Sequence, residues 1–221
     1  MKRMKLKDNK KFRIFIGIIL IILFGVGAFG YGTFKPNNYI LDKITERIEI
    51  QQSKIAVTLG LHEPEFVYTD QTSFILAVRK CVNYINFTTP HSLRVPSLLV
   101  EAQAGLESGW GTSRFAIEGN ALFGVRTWDP KLPQIKPKDN PKAVWGVKVY
   151  KTKCQSIQDY VNLLNTHKAY KDFREQREEM VMAGIYNYEK LIDTLTLFST
   201  NPNYTTLLKA TVNKLKVITA N

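Results

Sequence analysis

From Ile14 to Phe34 the sequence runs 21 residues without a charged side chain, and its densest part reads Ile-Phe-Ile-Gly-Ile-Ile-Leu-Ile-Ile-Leu-Phe-Gly-Val. As a helix rising about 1.5 Å per residue, this stretch crosses a hydrocarbon core of roughly 30 Å. The segment before it, residues 1–13, holds Lys2, Arg3, Lys5, Lys7, Lys10, Lys11 and Arg13 against the single acid Asp8, a charge of +6 out of a chain total of +12. Lysines and arginines flanking a span stay on the cytoplasmic side, so everything after Lys35 is expected on the periplasmic or extracytoplasmic side of the cytoplasmic (inner) membrane. A cleaved signal peptide has an apolar region of about 7–15 residues ending in a small-x-small site. Only Ala28-Phe29-Gly30 approaches such a site, and the segment reads as an uncleaved single-pass anchor. A basic head beside a span sets topology and touches anionic lipid, so its charge does not call for a nucleic-acid partner.

The remaining residues are long enough to bury a sizeable core in water. Residues 35–71 read as a juxtamembrane stalk: Ile40, Leu41, Ile44 and Ile48 recur at helical spacing with charges between them, until His62-Glu63-Pro64-Glu65 breaks the pattern. Residues 72–221 form the expected main domain, and their periodicity is helical. Phe74, Val78, Cys81, Val82 and Ile85 mark one helix. A second opens with Pro96 in its first turn and runs through Leu99, Ala102, Gln103 and Leu106 to a stop at Gly109 and Gly111. Ile157, Tyr160, Val161 and Leu164 give a third, and the stretches 173–182, 191–198 and 207–218 give three more.

Between the second and third of these helices, residues 121–151 contain four prolines and a β-like run from Ala143 to Tyr150, which predicts a small irregular or β-hairpin lobe inserted into a helical body. The lobe carries Arg126, Lys131, Lys136, Lys138, Lys142, Lys148 and Lys151 against Asp129 and Asp139, a balance of +5 suited to an anionic polymer.

The chemistry concentrates at Leu106-Glu107-Ser108-Gly109-Trp110-Gly111. This places a carboxylate in the last turn of an apolar helix, next to two glycines and an indole. The negative end of the helix dipole and desolvation by the indole both favour the protonated acid. A neutral carboxylic acid near neutral pH is what protonation of a leaving oxygen requires, as in glycoside hydrolysis. His62, His91 and His167 show no paired metal-ligand spacing, and neither a metal nor another cofactor is expected. Cys81 and Cys154 are able to pair outside the cytoplasm if the fold brings their Cα atoms within about 7 Å.

The run from Leu99 to Ser113, Leu-Val-Glu-Ala-Gln-Ala-Gly-Leu-Glu-Ser-Gly-Trp-Gly-Thr-Ser, followed by Gly119-Asn120-Ala121-Leu122-Phe123-Gly124, resembles the signature of the bacterial glucosaminidase domain. This is glycoside hydrolase family 73, in particular its Bax-like branch, which is related to the muralytic domain of flagellar rod-assembly proteins. Two later stretches, Tyr160 to Tyr170 with Arg174 and Arg177, and Phe198 to Tyr204, resemble later blocks of the same domain in the same order. The resemblance implies a mainly α, lysozyme-like fold with a small β lobe. It also implies hydrolysis of peptidoglycan glycan strands after N-acetylglucosamine, with Glu107 as general acid. Two positions depart from the family's pattern. The stretch Trp145 to Tyr150 lacks the glutamate common on the family's β lobe, leaving Gly146 in its place, and Phe198 stands where many relatives have tyrosine.

Two routes fill the missing second role. Asp129 or Asp139 serves as base for a water, across the roughly 6.5–9.5 Å separation of an inverting pair, or the substrate's own 2-acetamido oxygen attacks while Glu107 protonates the leaving group. The second needs one carboxylate from the enzyme and is preferred. Trp110, Phe123, Trp128, Tyr150 and Tyr204 are candidates to stack on sugar faces, and Asn120 to bond a substrate amide or hold a turn. Alternative readings are a muramidase or lytic transglycosylase on the same polymer, or a non-catalytic wall-binding module.

Overall fold

The computed structural model describes residues 10–34, 38–185 and 187–219. Lys2, Arg3, Lys5 and Lys7 of the basic head, and Lys35 to Asn37 at the start of the stalk, lie outside the described residues. The chain divides into two units, one ending at Ile50 and one beginning at Gln51.

In the first unit, helix α1 (Lys10–Phe34) contains the whole uncharged segment. From Phe12 to Gly32 it is long and apolar enough to cross a membrane, and none of this stretch is buried within the protein. Ile18, Leu20, Leu23 and Phe24 all stand exposed. Helix α2 (Asn38–Thr58) begins in this unit and carries the isoleucine stripe of the stalk.

In the second unit, helix α3 (Gln71–Thr88) opens with a capping box: Ser73 N–H donates to Asp70 Oδ1 at 2.7 Å while the Asp70 N–H donates to Ser73 Oγ at 3.0 Å. Helix α4 (Ser97–Ser108) follows, with Pro96 as its N-cap rather than in its first turn. It packs against both α3 and the last helix, so residues on nearly every side of it are buried. One of them, Glu101, is an acid inside the core. It is held by a two-pronged bond from Arg79 at 2.7 and 2.8 Å and by Ser97 Oγ at 2.8 Å, which satisfies a charge that burial alone would penalise.

A short helix, α5 (Arg114–Gly119), is not anticipated by periodicity because it is too short to show one. The lobe then supplies strands β1 (Arg126–Thr127), β2 (Gln134–Ile135) and β3 (Gly146–Lys148). They form an antiparallel sheet of order β1-β3-β2, with Val147 opposite both Arg126 and Ile135. The predicted run 143–150 thus yields a three-residue central strand with two short edges rather than a plain hairpin. The four prolines at 130, 133, 137 and 141 interrupt the chain on the β2 side, since proline cannot donate to a ladder.

Helices α6 (Lys153–Thr166), α7 (Lys171–Ala183), α8 (Tyr188–Asp193) and α9 (Tyr204–Thr219) complete the domain. The expected helix 191–198 stops at Asp193; Leu195 and Phe198 continue in tight three-residue turns instead. The core joins Phe74, Val78, Leu99, Ile157, Leu164, Leu208 and Leu215, all fully buried. Each such side chain is worth about 1.5–3 kcal/mol of transfer free energy. Cys81 of α3 and Cys154 of α6 form a disulfide across a Cα–Cα distance of 5.3 Å, which closes the question their sequence positions leave open.

Candidate active site

Glu107 sits in the last turn of α4, half-buried. The helix end that presents it is built by the residues that follow. Gly109 caps the helix in the left-handed conformation at φ 58°, and Trp110 holds the same φ, which is strained for a bulky residue. The strain is held by packing: the indole lies close enough on Gly105 that a Cβ there would come within 2.6 Å of it, and it meets the Phe74 ring edge-on. Ser108 Oγ accepts the Gly111 N–H at 2.8 Å and closes the turn. At about 100° per residue, Gly105 and Glu107 point to opposite sides of α4. The indole therefore braces the helix from behind, and the desolvation of Glu107 has another source.

That source is a group of tyrosines from three other places in the chain. Tyr160 of α6, Tyr170 just before α7 and Tyr204 at the start of α9 all have hydroxyls pushed to higher pKa, by burial first and by the nearby Glu107 charge in addition. Burial also raises the Glu107 carboxyl above the ordinary glutamate range, while a hydrogen bond from the Tyr204 hydroxyl pulls the other way. Tyr204 is itself fed by Gln103, one turn before Glu107, whose Nε2 donates to the Tyr204 hydroxyl at 2.7 Å. The Tyr160 hydroxyl donates to Gln103 Oε1. The result is a directed chain, Tyr160 to Gln103 to Tyr204 to Glu107, with every donor pointing toward the carboxylate. Such chains polarise one another in a low-dielectric interior. Phe123 stacks on Tyr160 at 4.0 Å between ring centres, and Phe198 stacks on Tyr204 at 5.7 Å, so both tyrosines are held by rings as well as by hydrogen bonds. A half-buried acid with a raised pKa and a fixed donor on one oxygen is equipped to give a proton to a bound leaving group.

Residues 89–217 match the glucosaminidase family, described as mannosyl-glycoprotein endo-beta-N-acetylglucosaminidase. The chain belongs to the glucosaminidase family. Its domain is accordingly that of a glycoside hydrolase. It is 35% identical over 86 residues to the protein Bax of Escherichia coli (strain K12), a match covering 39% of this chain and 30% of Bax, so the chain spans under a third of the length of that curated relative. The fold is similar to the catalytic domain of the autolysin Auto from Listeria monocytogenes, with a TM-score of 0.51 at 17% identity over 77% of this chain and 97% of that one. At that identity the likeness is one of fold.

Within the glucosaminidase domain, the other candidate residues fall into distinct places. Phe123 and Tyr204 are 3% and 4% exposed, so neither offers a ring face to a sugar; Phe123 supports Tyr160, and Tyr204 acts through its hydroxyl. Asn120, in the left-handed conformation at φ 52°, uses its side chain fully within the protein. Its Nδ2 donates to the carbonyls of Tyr150 and Lys151 at 3.0 and 3.2 Å and its Oδ1 accepts from Lys153 Nζ at 3.0 Å, which ties the lobe to α6. Trp128, 62% exposed on the lobe, keeps an open ring. Tyr150 is half-buried, with its hydroxyl donating to Asp159 Oδ2 at 2.7 Å. Asp129 and Asp139 both lie on exposed lobe loops; Asp129 Oδ1 accepts the Lys131 N–H at 2.9 Å and closes a turn.

A Cβ at Gly146 would lie 2.6 Å from Gln134 Oε1, so a side chain there requires Gln134 to shift. Gln134 is pinned in turn by Lys136 Nζ at 2.9 Å and by its own bond to the Asp129 carbonyl at 2.9 Å. Gln103 and Tyr160 are neighbours of Glu107 that sequence reasoning reads as helix positions, and Tyr170 one that it names only within the family resemblance. The one available signal is Gln103 itself, a polar residue one turn before Glu107 on the helix.

Proposed function

We propose that this chain is a membrane-anchored peptidoglycan hydrolase that cleaves glycan strands after N-acetylglucosamine, with Glu107 as its general acid. The observation that carries the reading is the state of Glu107 in a glucosaminidase domain: half-buried, raised in pKa by desolvation, and bonded by Tyr204. The α1 segment holds the domain at the outer face of the cytoplasmic membrane, residues 35–71 act as the stalk, and residues 72–221 do the chemistry. The Cys81–Cys154 disulfide supports this side of the membrane, since disulfides persist in oxidising compartments.

In the proposed reaction the Glu107 carboxyl gives its proton to the glycosidic oxygen as the bond from that oxygen to C1 breaks. The 2-acetamido carbonyl oxygen of the same sugar bonds to C1 and forms a cyclic oxazolinium. Water then adds to C1, the ring reopens, and the proton released by water returns to Glu107, giving a reducing-end N-acetylglucosamine with its original anomeric configuration. This route asks one carboxylate of the protein, in keeping with the exposed loop positions of Asp129 and Asp139 and the lack of a carboxylate at Gly146. Mass spectrometry of fragments released from sacculi by the detergent-solubilised chain tests the reading. N-acetylglucosamine at the new reducing ends supports it, whereas N-acetylmuramic acid or its anhydro form contradicts it in favour of a muramidase or lytic transglycosylase. Binding without any release contradicts the enzymatic reading altogether. Retention of the chain in membranes after carbonate washing tests the anchor, and a soluble form beginning near residue 30 contradicts it.

A further inference from the structure

On the far side of α6 from Glu107 lies a cavity of about 320 Å³ between that helix and the lobe. At 100° per residue, Gln155, Gln158, Asp159 and Asn162 fall on one sector of α6, while the buried Ile157, Tyr160, Val161 and Leu164 fall on the opposite one. The helix wall of the cavity is therefore polar, and Tyr160, the residue of α6 in the Glu107 hydrogen-bond chain, faces away from it. The lobe supplies the other wall from Leu132, Pro133 and Val149, which are apolar.

The floor of the cavity is an ion pair with bonding capacity left over. Lys148 Nζ donates to Asp159 Oδ2 at 2.9 Å, and the Tyr150 hydroxyl donates to the same oxygen at 2.7 Å. An ammonium has three donors and a carboxylate two accepting oxygens, so the pair is neutral as a whole yet still offers donors on Lys148 and the whole of Asp159 Oδ1. A neutral pair of this kind complements a ligand that is itself both an amine and a carboxylate, with the amine at Asp159 and the carboxylate at Lys148. Above it the primary amides of Gln155, Gln158 and Asn162 run along the helix. Gln158 Nε2 donates to Asn162 Oδ1 at 3.1 Å, and Asn162 itself stands exposed. Side-chain amides match peptide groups, giving and accepting one bond each. A pyranose would instead want an open aromatic face, and the cavity's one aromatic, Tyr150, is half-buried and tied to Asp159.

We infer that this cavity between the β lobe and α6 binds the peptide stem of peptidoglycan, through a stem residue bearing a free amino-carboxylate held by Asp159 and Lys148. The assignment rests on the proposed substrate polymer and adds to it a second contact, on the peptide rather than the glycan. It gives the enzyme a means of preferring strands that still carry stems over stripped ones.

The test is calorimetric titration of the full chain in detergent with a free stem tetrapeptide containing a diamino acid, with the same peptide amidated at the diamino acid's carboxylate, and with an N-acetylglucosamine tetramer. The tetrapeptide is expected to bind, and the amidated form to bind about tenfold more weakly or worse, as loss of a charge-assisted bond implies. Asp159→Asn is expected to weaken the tetrapeptide by a similar factor without changing the response to the sugar tetramer. Gln158→Ala, at a position partly open to solvent, gives the same direction if Asp159→Asn does not fold. Absence of tetrapeptide binding, equal binding of the amidated peptide, or unchanged binding in both variants overturns the inference. Release of fragments from sacculi in the same preparation separates the two readings. Hydrolysis without tetrapeptide binding overturns the cavity's assignment alone, whereas tetrapeptide binding without hydrolysis supports the cavity and overturns the hydrolase.

Discussion

Gln103 and Tyr204, 101 residues apart in the chain, meet at 2.7 Å, amide to hydroxyl, and that single contact aims the Tyr204 proton at Glu107. It also joins the central helix α4 to the first turn of α9, so the geometry of the acid depends on the last helix of the domain being in place.

Tyr204→Phe removes the donor to Glu107 and leaves the buried Gln103 Nε2 without its acceptor. An unsatisfied buried amide costs about 1–3 kcal/mol, so the variant melts at lower denaturant concentration. The lost hydrogen bond favoured the charged carboxylate, so the Glu107 pKa rises further. The expected signature in a pH–rate profile is an alkaline limb displaced upward, with lower maximal turnover. An unmoved limb contradicts the bond's role.

Glu107 is destabilising when ionised. Its folded pKa is raised, so the folded state binds a proton more tightly than the unfolded chain. The associated stability is fully present below the ordinary glutamate range and is lost as pH rises through the raised value, at about 1.4 kcal/mol for each pH unit separating the folded from the unfolded pKa. Glu107→Gln stays neutral and escapes that loss. It is expected to be more stable than the parent at neutral pH, with the gap closing as the solution is acidified through the raised value and gone by pH ~4. Thermal melts across that range decide it, and a gap that widens in acid contradicts the assigned direction.

Much of this arrangement is legible in the sequence because local rules apply to it. The uncharged run 14–34, the stop of α4 at Gly109 and the acid in the last turn before that stop all follow from spacing and cap chemistry. What spacing does not carry is which distant side chains converge. Tyr160 reads as a helix-core position and Tyr204 as a candidate to stack on a sugar, yet with Tyr170 they gather around one carboxylate that none of them neighbours in sequence. Trp110 shows the reverse: its neighbourhood to Glu107 in sequence suggests a desolvating wall, whereas the turn at Gly109 swings it behind the helix onto Gly105. The lobe's strands are short because prolines and turns leave only Val147 able to pair on both sides.

The disulfide closes a loop of 73 residues between α3 and α6. By the chain-entropy relation this is worth about 4 kcal/mol. Cys81→Ser with Cys154→Ser should therefore lower the unfolding free energy by that order while leaving the Glu107 surroundings intact. Added reductant should act on the parent in the same direction. A double variant as stable as the parent contradicts the structural role.

Lys138 and Lys142 stand exposed on the lobe, whereas Lys136 is engaged with Gln134 and the Trp145 carbonyl. Reversing Lys138 and Lys142 to Glu is expected to weaken sacculus binding severalfold at low salt and little at high salt, because exposed charges are screened over about 10 Å at 0.1 M. A salt-independent loss contradicts steering by charge.

The most direct measurement is turnover on purified sacculi by Glu107→Gln, compared with Asp129→Asn and Asp139→Asn in the same full-length background. The substitution keeps the shape and the bond from Tyr204 and removes only the transferable proton. Removing a general acid typically costs about 10²–10⁴-fold. Release of soluble fragments by Glu107→Gln should fall by that factor with sacculus binding retained, and both aspartate variants should stay near the parent rate. Full hydrolysis by Glu107→Gln contradicts the assignment of this helix end as the active site, and a collapse in either aspartate variant contradicts attack by the substrate's own acetamido oxygen.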